Sequence, residues 1–130
     1  MAKQFLNPLG LGSAQGAFSH GVRAGDTIWV SAQAAQDEKG AIVGGDDAEA
    51  QCRVIFKRIE AVLKAGGATF ADVVMLRGFL LRRDYVSATW NVRREVFGGH
   101  KPASTSFVVS EIEPAGALMT FEVVAMVDPA

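Results

Sequence analysis

Apolar and polar residues alternate in residues 27–31, the second of two short segments near the start of the chain, and residues 17–22 form the first. The residues between them, Arg-Ala-Gly-Asp, have the composition of a turn in which Gly25 is free to adopt a positive φ. In the second segment, Ile28 and Val30 alternate with residues that suit a more exposed face. The pattern predicts a β-hairpin, and the small residues at its end allow a ligand to approach the backbone closely.

Two later stretches repeat their apolar residues at helical spacing instead. In residues 46–65, Asp46 followed by Glu49 predicts a capping box at the start of a helix. The positions predicted to be buried on this helix are Ala48, Cys52, Ile55, Phe56, Ile59, Val62 and Leu63. Asp84 predicts the start of a second helix that runs through Phe97, and a pair of glycines follows each helix.

Three further apolar segments, residues 72–81, 105–109 and 118–127, are predicted to be strands. Residues 1–15 contain Pro and Gly and predict an extended arm or a short strand, whereas residues 37–45 predict a loop. The order is hairpin, helix, strand, helix, strand, strand. This order predicts an α+β fold, a two-layer sandwich in which two helices cover one face of a mixed sheet.

The length and the pattern of the sheet indicate a single domain, residues 1–130, that needs a partner. The predicted sheet carries apolar residues on both of its faces, but two helices can cover only one of them. We expect neighbouring subunits to cover the second face, so the predicted protein is a homo-oligomer.

Composition and charge exclude several classes of function. Hydrophobic residues make up 49% of the chain, charged residues make up 21%, and the net charge is −1 at pH 7. This balance is typical of a globular protein and lacks the basic field that nucleic-acid binding usually needs. No apolar run reaches transmembrane length, so we expect a soluble, cytoplasmic protein that engages no membrane. The lone Cys52 cannot form an internal disulfide, and its place among apolar residues favours packing.

The remaining polar residues form no familiar cofactor motif. The two histidines and the acids lack metal-ligand spacing, and there is no glycine motif for phosphate, so we expect no cofactor. We predict that His20 and His100 lie at the surface, with acid–base chemistry near neutral pH as the alternative for His100. The arginine pairs at residues 82–83 and 93–94 are predicted to be solvated charge at the flanks of a helix.

One stretch of the sequence resembles a known protein family. Gly-Ala-Phe-Ser at residues 16–19, a Gly-Asp turn, and Trp-Val-Ser-Ala-Gln at residues 29–33 are similar to the opening signature of the RidA/YjgF family, also called endoribonuclease L-PSP. The common forms there are Gly-Pro-Tyr-Ser and Phe-Val-Ser-Gly-Gln, and the resemblance continues to the C-terminus. It implies a chorismate-mutase-like homotrimer in which three sheets face inward and small-molecule clefts lie between the subunits.

The resemblance also implies site residues, position by position. The hairpin Tyr of the family corresponds to Phe18, and the Ser-Gly of its Ser-Gly-Gln corresponds to Ser31 and Ala32. The Asn of the second helix corresponds to Asn91, and the Arg that follows Pro-Ala corresponds to Ser104. These residues are therefore candidates for contact with a substrate.

Two further candidates follow from the last strand and one from the altered Pro-Ala motif. The family Glu corresponds to Thr120, and Glu122 matches a second acid two residues later. Glu122 lies between apolar residues, where it suits a general acid, a group that positions water, or a structural salt bridge. Thr105, directly after Ser104, is a candidate for substrate binding.

The loss of the family Arg changes the expected substrate. The resemblance implies two roles in the deaminase members of the family. The Arg pairs with the carboxylate of an imino acid, and the Glu positions water for attack on the C=N carbon. Ser104 cannot hold a carboxylate by a bidentate, charge-assisted pair. The chain therefore resembles an Arg-lacking branch of the family, and we expect little activity on amino-acid-derived 2-imino acids.

Arg77 is the candidate replacement cation, because it interrupts an otherwise apolar strand. By alternation it shares a face of the strand with Val73 and Met75, where a charge is costly unless it is paired. Two interpretations remain open. Arg77 forms a structural ion pair with Glu122 or Glu95, or it serves as a relocated anion anchor in the cleft.

Three functions are compatible with these residues. The first is a RidA-type hydrolase that releases ammonia from a small imine or enamine, and the altered pocket suits a substrate such as aminomuconate. The second is a trimer that binds a small molecule without catalysis. The third, a ribonuclease, is disfavoured by the acidic pI of about 6.1 and by the absence of an aromatic and basic platform in the sequence.

Overall fold

The predicted hairpin is present, with its first strand shifted along the chain. In the computed structural model, which describes residues 2–12 and 16–128, the second and third strands are β2 (Gly21–Ala24) and β3 (Thr27–Gln33). The first of them begins at Gly21 rather than at residue 17 and extends into the predicted turn. The turn is therefore confined to Gly25 and Asp26, and Gly25 has a φ of 63°.

The other elements follow the predicted order within the described residues. They are β1 (Lys3–Leu6), α1 (Ala48–Ala65), β4 (Val73–Leu80), α2 (Tyr85–Phe97), β5 (Ala103–Val108) and β6 (Met119–Met126), and a short 3₁₀ turn at Phe70–Asp72 precedes β4. The six strands form one sheet in the order β1-β2-β3-β6-β4-β5. Only the β4–β5 pair is parallel, so the sheet is mixed, and the predicted two-layer α+β architecture is confirmed.

Helix α1 supplies most of the core, as its apolar spacing predicts. Cys52, Ile55 and Ile59 are fully buried. The cap residue is Asp47 rather than the predicted Asp46, and its Oδ1 accepts a hydrogen bond from the backbone N of Ala50 at 3.0 Å. The prediction for α2 was also wrong at its cap, because Asp84 forms no capping hydrogen bond and its carboxylate instead accepts from Arg82 at 3.0 Å.

Burial of Cys52 confirms a packing role for its thiol. Removal from water raises the pKa of Cys52 to about 12. The thiol therefore stays protonated at neutral pH, which favours packing over a nucleophilic role.

The sheet face opposite the helices, here called the open face, carries a continuous row of side chains across every strand. The residues paired in register along this row are Phe5, Val22, Trp29, Val124, Met75 and Ala103. Trp29 is 49% exposed and Phe5 is 66% exposed. Such a row is more apolar than the surface of a typical monomer, which agrees with the predicted shortage of cover on this face.

A β-bulge changes which residues of β4 reach the open face. The pairing of β4 with β6 shifts register between Val73 and Met75. As a result Val73 is fully buried under the helices, and the prediction that it shares a face with Arg77 was wrong. Bulges of this kind reverse the side-chain alternation, which a strict period of two does not anticipate.

Candidate functional site

One concavity near the predicted site lies at the end of the hairpin. This hairpin cleft has a volume of about 570 Å³ and is lined by residues that include Phe18, His20, Ala32, Arg58 and Glu113. Phe18 is 58% exposed, and its ring meets the ring of His20 edge to face at 6.1 Å. Two of the candidates, Phe18 and Ala32, therefore share one cleft.

A chain of buried polar groups forms the wall of the hairpin cleft. Arg58 Nε donates to Gln33 Oε1 at 3.1 Å, and Gln33 Nε2 lies 3.3 Å from His20 Nδ1. His20 Nε2 then lies 3.2 Å from the carbonyl oxygen of Gly12. Because Arg58 can only donate, Gln33 must present its oxygen to Arg58 and its NH₂ group to His20. His20 Nδ1 is thus the acceptor, and His20 Nε2 carries the proton that it donates to Gly12.

The remaining nitrogens of Arg58 tie the same wall to two loops. Nη1 donates to the carbonyl of Gln36 at 2.9 Å, and Nη2 donates to the carbonyl of Leu11 at 3.0 Å. Among the described residues no carboxylate lies within ion-pair distance of Arg58. Burial lowers the pKa of Arg58, and nearby Asp37 acts in the opposite direction. An arginine nevertheless remains charged, so the wall of the cleft carries a buried positive charge without a direct ion pair among the described residues.

His20 and Arg58 correct the sequence analysis. His20 was predicted to lie at the surface, but it is 5% exposed because its ring is enclosed by the polar chain. Arg58 was not predicted at all and is also 5% exposed. A signal for Arg58 was present, since the residue follows Ile55 by three positions and precedes Val62 by four, which places it on the buried stripe of α1.

The hydroxyl of Ser31 is used within the hairpin. Ser31 Oγ donates to the carbonyl of Ser19 at 2.7 Å, and the backbone N of Ser31 donates to the carbonyl of His20 at 2.8 Å. These bonds hold the two hairpin ends together. What the hairpin presents to the cleft at this point is the exposed Ala32.

A second concavity lies between the end of α2 and the start of β5. This basic pocket has a volume of about 300 Å³ and is lined by residues that include Trp90, Arg93, Arg94, His100, Lys101 and Pro102. Arg93 stacks over the Trp90 ring with 4.8 Å between its guanidinium carbon and the ring centroid. Arg93 Nη2 also donates to Ser104 Oγ at 2.9 Å, and Asn91 Oδ1 accepts from Arg94. Two more of the candidates, Ser104 and Asn91, are thereby joined to this pocket.

Three expectations change at the basic pocket. His100 is half-buried rather than solvated, because its Nε2 lies 2.6 Å from the carbonyl oxygen of Val73. Arg93 is held by Trp90 and Ser104 and is not simply solvated charge. The pocket also combines an aromatic ring with several cations, a grouping that was not expected from the sequence.

The last four candidates lie along the centre and edge of the open face. Arg77 Nη1 and Glu122 Oε2 are 3.7 Å apart, which confirms one of the two predicted ion pairs. The other predicted partner, Glu95, instead accepts from Arg53 at 2.7 Å. Thr105 is paired in register with Arg77 on its other side, and the largely buried Thr120 is paired with Phe79.

One protomer therefore distributes the candidates over three places. Ser31 and Ala32 lie on β3, whereas Ser104 and Thr105 lie on β5, and strands β6 and β4 separate them in the sheet. Among residues 2–12 and 16–128, no cluster of three or more His, Cys, Asp or Glu side chains has the arrangement of a metal site. No helix in the described part of the chain is both long and apolar enough to cross a membrane.

The fold and the two concavities define a small α+β protein with ligand-sized clefts and one sheet face, the open face, that the helices do not cover. Comparison with known proteins places it more narrowly. The sequence model of the endoribonuclease L-PSP family matches residues 11–127. A RutC family protein of Pyrococcus horikoshii is 32% identical over 111 residues, which cover 85% of this chain and 86% of that protein.

Solved structures agree with this assignment. A Thermotoga maritima protein described as a candidate endoribonuclease is 28% identical, with a TM-score of 0.91 over 99% of this chain and all of that one. A conserved Rid-family protein of unknown function from Yersinia pestis is 30% identical, with a TM-score of 0.90, and the match covers 97% of this chain and 100% of that one. The chain belongs to the RidA/YjgF family, also described as endoribonuclease L-PSP.

Proposed function

We propose that the protein is a RidA-type deaminase that hydrolyses a small imine or enamine and releases ammonia. The observation that carries the proposal is the hairpin cleft of about 570 Å³, which Phe18, Ala32 and the charged Arg58 line together. Family membership supports a function on small molecules at the level of the family. The altered Ser104 position favours a substrate other than a simple 2-imino acid, such as an aminomuconate-like compound.

The proposed enzyme is a homotrimer with its sites between subunits. Two observations support this arrangement. The open face carries an apolar row that nothing in one protomer covers among the described residues. The candidates on β3 and β5 also lie too far apart in the sheet to meet within one protomer. In the trimer, Phe18, Ser31 and Ala32 of one subunit would face Asn91, Ser104 and Thr105 of the next.

The proposed reaction is addition of water to a C=N bond. The hydroxyl of Thr120 and the carboxylate of Glu122 position the water, and Glu122 takes one of its protons as oxygen bonds to carbon. That proton is then delivered to nitrogen, which gives a carbinolamine. The proton of the new hydroxyl is next transferred to nitrogen through Glu122, the C–N bond breaks, and ammonia leaves as the C=O bond forms. Ser104 hydrogen-bonds the substrate during these steps, and Arg77 binds an anionic group of the substrate.

The Arg77–Glu122 ion pair favours one alternative, a trimer that binds a small molecule without catalysis. The pair engages one oxygen of Glu122, which leaves that oxygen less available to position a water molecule. The two functions differ in one measurable product. Incubating the purified protein with a panel of imines and enamines tests the proposal. Ammonia release above the uncatalysed rate supports the deaminase, and binding without ammonia release supports the alternative.

A further inference from the structure

The basic pocket concentrates positive charge without a compensating acid. Arg93, Arg94 and Lys101 line a space of about 300 Å³, and its lining among the described residues includes no Asp or Glu. The protein as a whole carries a net charge of −1 at pH 7. The pocket is therefore positively charged, whereas the protein as a whole is slightly negative. Several positive charges in one concavity raise the local concentration of anions.

Arg93 is held in place rather than free to move in solvent. Its guanidinium stacks on Trp90 at 4.8 Å and donates from Nη2 to Ser104 Oγ at 2.9 Å. The salt bridges found among the described residues do not include Arg93, so its charge lacks a protein counter-ion there. Burial lowers the pKa of Arg93, because its charged form has lost part of its water. A bound anion would supply the missing partner.

The other polar residues of the pocket differ in how many of their donors already bond the protein. Arg94 bonds the side-chain oxygen of Asn91 through one of its nitrogens. Lys101 is exposed and lies directly before Pro102, two residues before the start of β5. A guanidinium has five N–H donors, so Arg93 and Arg94 both keep donors for a ligand. His100 points its Nε2 at the carbonyl of Val73 and is engaged by the protein itself.

From this arrangement we propose that the basic pocket binds a small dianionic oxyacid. Arg93 holds one anionic group, and Arg94 or Lys101 holds the second. A dicarboxylate and a phosphate dianion share this chemistry. This binding site adds to the proposed function, because Arg93 hydrogen-bonds Ser104, one of the proposed site residues. The step from a bound anion to an anionic substrate rests on the proposed function.

The pocket suits a small ligand better than a nucleic acid. Arg93 covers a face of the Trp90 ring, so that face cannot stack a base. A strand of RNA also needs a basic track along its backbone, and Glu95 interrupts the basic residues of α2 directly after Arg94. A concavity of about 300 Å³ fits a molecule of a few carbon atoms.

Calorimetric titration of the purified protein with two matched acids tests this proposal. Fumarate and crotonate have the same trans C4 skeleton and differ in one carboxylate. We expect fumarate to bind at least tenfold more tightly, because only it engages two cations. Inorganic phosphate is the third ligand: tighter binding than fumarate assigns the pocket to phosphates within the same proposal, and weaker binding assigns it to dicarboxylates.

Variants locate the binding. Arg93→Met keeps a flexible apolar chain over Trp90 and is expected to weaken binding of the preferred dianion by about tenfold to a hundredfold. Lys101→Met provides a second, exposed change that leaves the stacked pair intact and is expected to weaken binding in the same direction. Arg83→Met, a change at an exposed arginine outside the pocket, is expected to leave binding unchanged.

Three results would overturn the proposal. They are equal affinity for fumarate and crotonate, dianion binding that is unchanged in both Arg93→Met and Lys101→Met, and tighter, Arg93-dependent binding of a single-stranded oligonucleotide. If dianions bind through Arg93 but no imine or enamine yields ammonia, the binding proposal stands and the deaminase proposal fails.

Discussion

Arg93 Nη2 donates to Ser104 Oγ at 2.9 Å, so a guanidinium from α2 reaches the β5 position that the family resemblance matches to an arginine. The relationship changes the meaning of Ser104. A cation that could bind an anion is not simply absent from this position, because the guanidinium of Arg93 approaches it from the neighbouring helix. The approach is different, however, since Nη2 of Arg93 already bonds the serine and the guanidinium stacks on Trp90.

The first prediction concerns 2-imino acids. We expect little or no ammonia release from 2-iminopropanoate, because Ser104 cannot form a bidentate pair with its carboxylate and Arg93 is held in another orientation. The double variant Ser104→Arg, Arg93→Met restores a single arginine on β5 and is expected to raise the rate. Ser110→Arg, an exposed change outside both concavities, is the control. Wild-type rates equal to those of Arg-containing relatives would contradict this prediction.

The second prediction concerns Arg77. Its ion pair with Glu122 is partly exposed, with 40% and 34% of the two side chains accessible, and such pairs contribute about 0–1 kcal/mol to stability. We expect Arg77→Met to leave the proposed trimer intact and to weaken ligand binding by about tenfold to a hundredfold, measured by titration. A change in the free energy of unfolding with unchanged affinity would instead assign Arg77 a structural role.

The third prediction concerns Arg58. Arg58→Met removes the donors for Gln33 Oε1 and for the carbonyls of Leu11 and Gln36. A buried acceptor left without a partner costs about 1–3 kcal/mol, so we expect the free energy of unfolding in urea to fall by at least that amount. Lys57→Met, at an exposed position of the same helix, should change it by less than about 0.5 kcal/mol. Equal stability of the two variants would show that the polar chain is dispensable.

The fourth prediction is a pH dependence from Cys52. Burial raises the pKa of its thiol from an ordinary 9.0 to about 12, so above pH 9 the unfolded chain has lost a proton that the folded chain keeps. The free energy of unfolding should therefore fall as pH rises from 9 to 12, by about 1.4 kcal/mol per unit. Cys52→Ala should lower stability near neutral pH, because it leaves a small cavity, and should remove this part of the slope, so the difference between the two proteins shrinks as pH rises above 9. Identical slopes in the two proteins would count against it.

The fifth prediction concerns the open face. Trp29→Lys places a charge in the middle of the apolar row, which is paired with Val22 and Val124. We expect the wild type to sediment as a trimer at micromolar concentration and the variant to sediment as a monomer, because a buried unpaired charge is costly. Glu60→Lys adds a lysine to the exposed side of α1 and should leave the trimer intact. A stable wild-type monomer would contradict the proposed assembly.

The fold was predictable because its signals are local. The apolar spacing of α1 predicted a buried stripe that includes Ile55 and Ile59, and alternation in β3 predicted the buried Ile28 and Val30. The exact residue that caps a helix was not predictable in this way, because it depends on a single hydrogen bond. Asp46 and Asp47 are adjacent and chemically identical, and only the backbone geometry decides that Asp47 accepts the capping hydrogen bond.

The site was less predictable, because its contacts join distant parts of the chain. His20 lies among small and polar neighbours and therefore resembles a surface residue in sequence. Its burial depends on Gly12 and Gln33, and the latter is held by Arg58 from α1. In the same way, the bulge in β4 and the approach of Arg93 to Ser104 arise from packing between elements.

The central claim is that the protein hydrolyses C=N or enamine substrates with Glu122 handling the proton of water. Ammonia release from the imine and enamine panel, compared between the wild type and Glu122→Gln, tests it most directly. Glu111→Gln, at an exposed loop position, is the matched control. The account predicts release by the wild type and the control and a loss of about a hundredfold or more in Glu122→Gln. Release that is absent from the wild type, or equal in all three proteins, would contradict it.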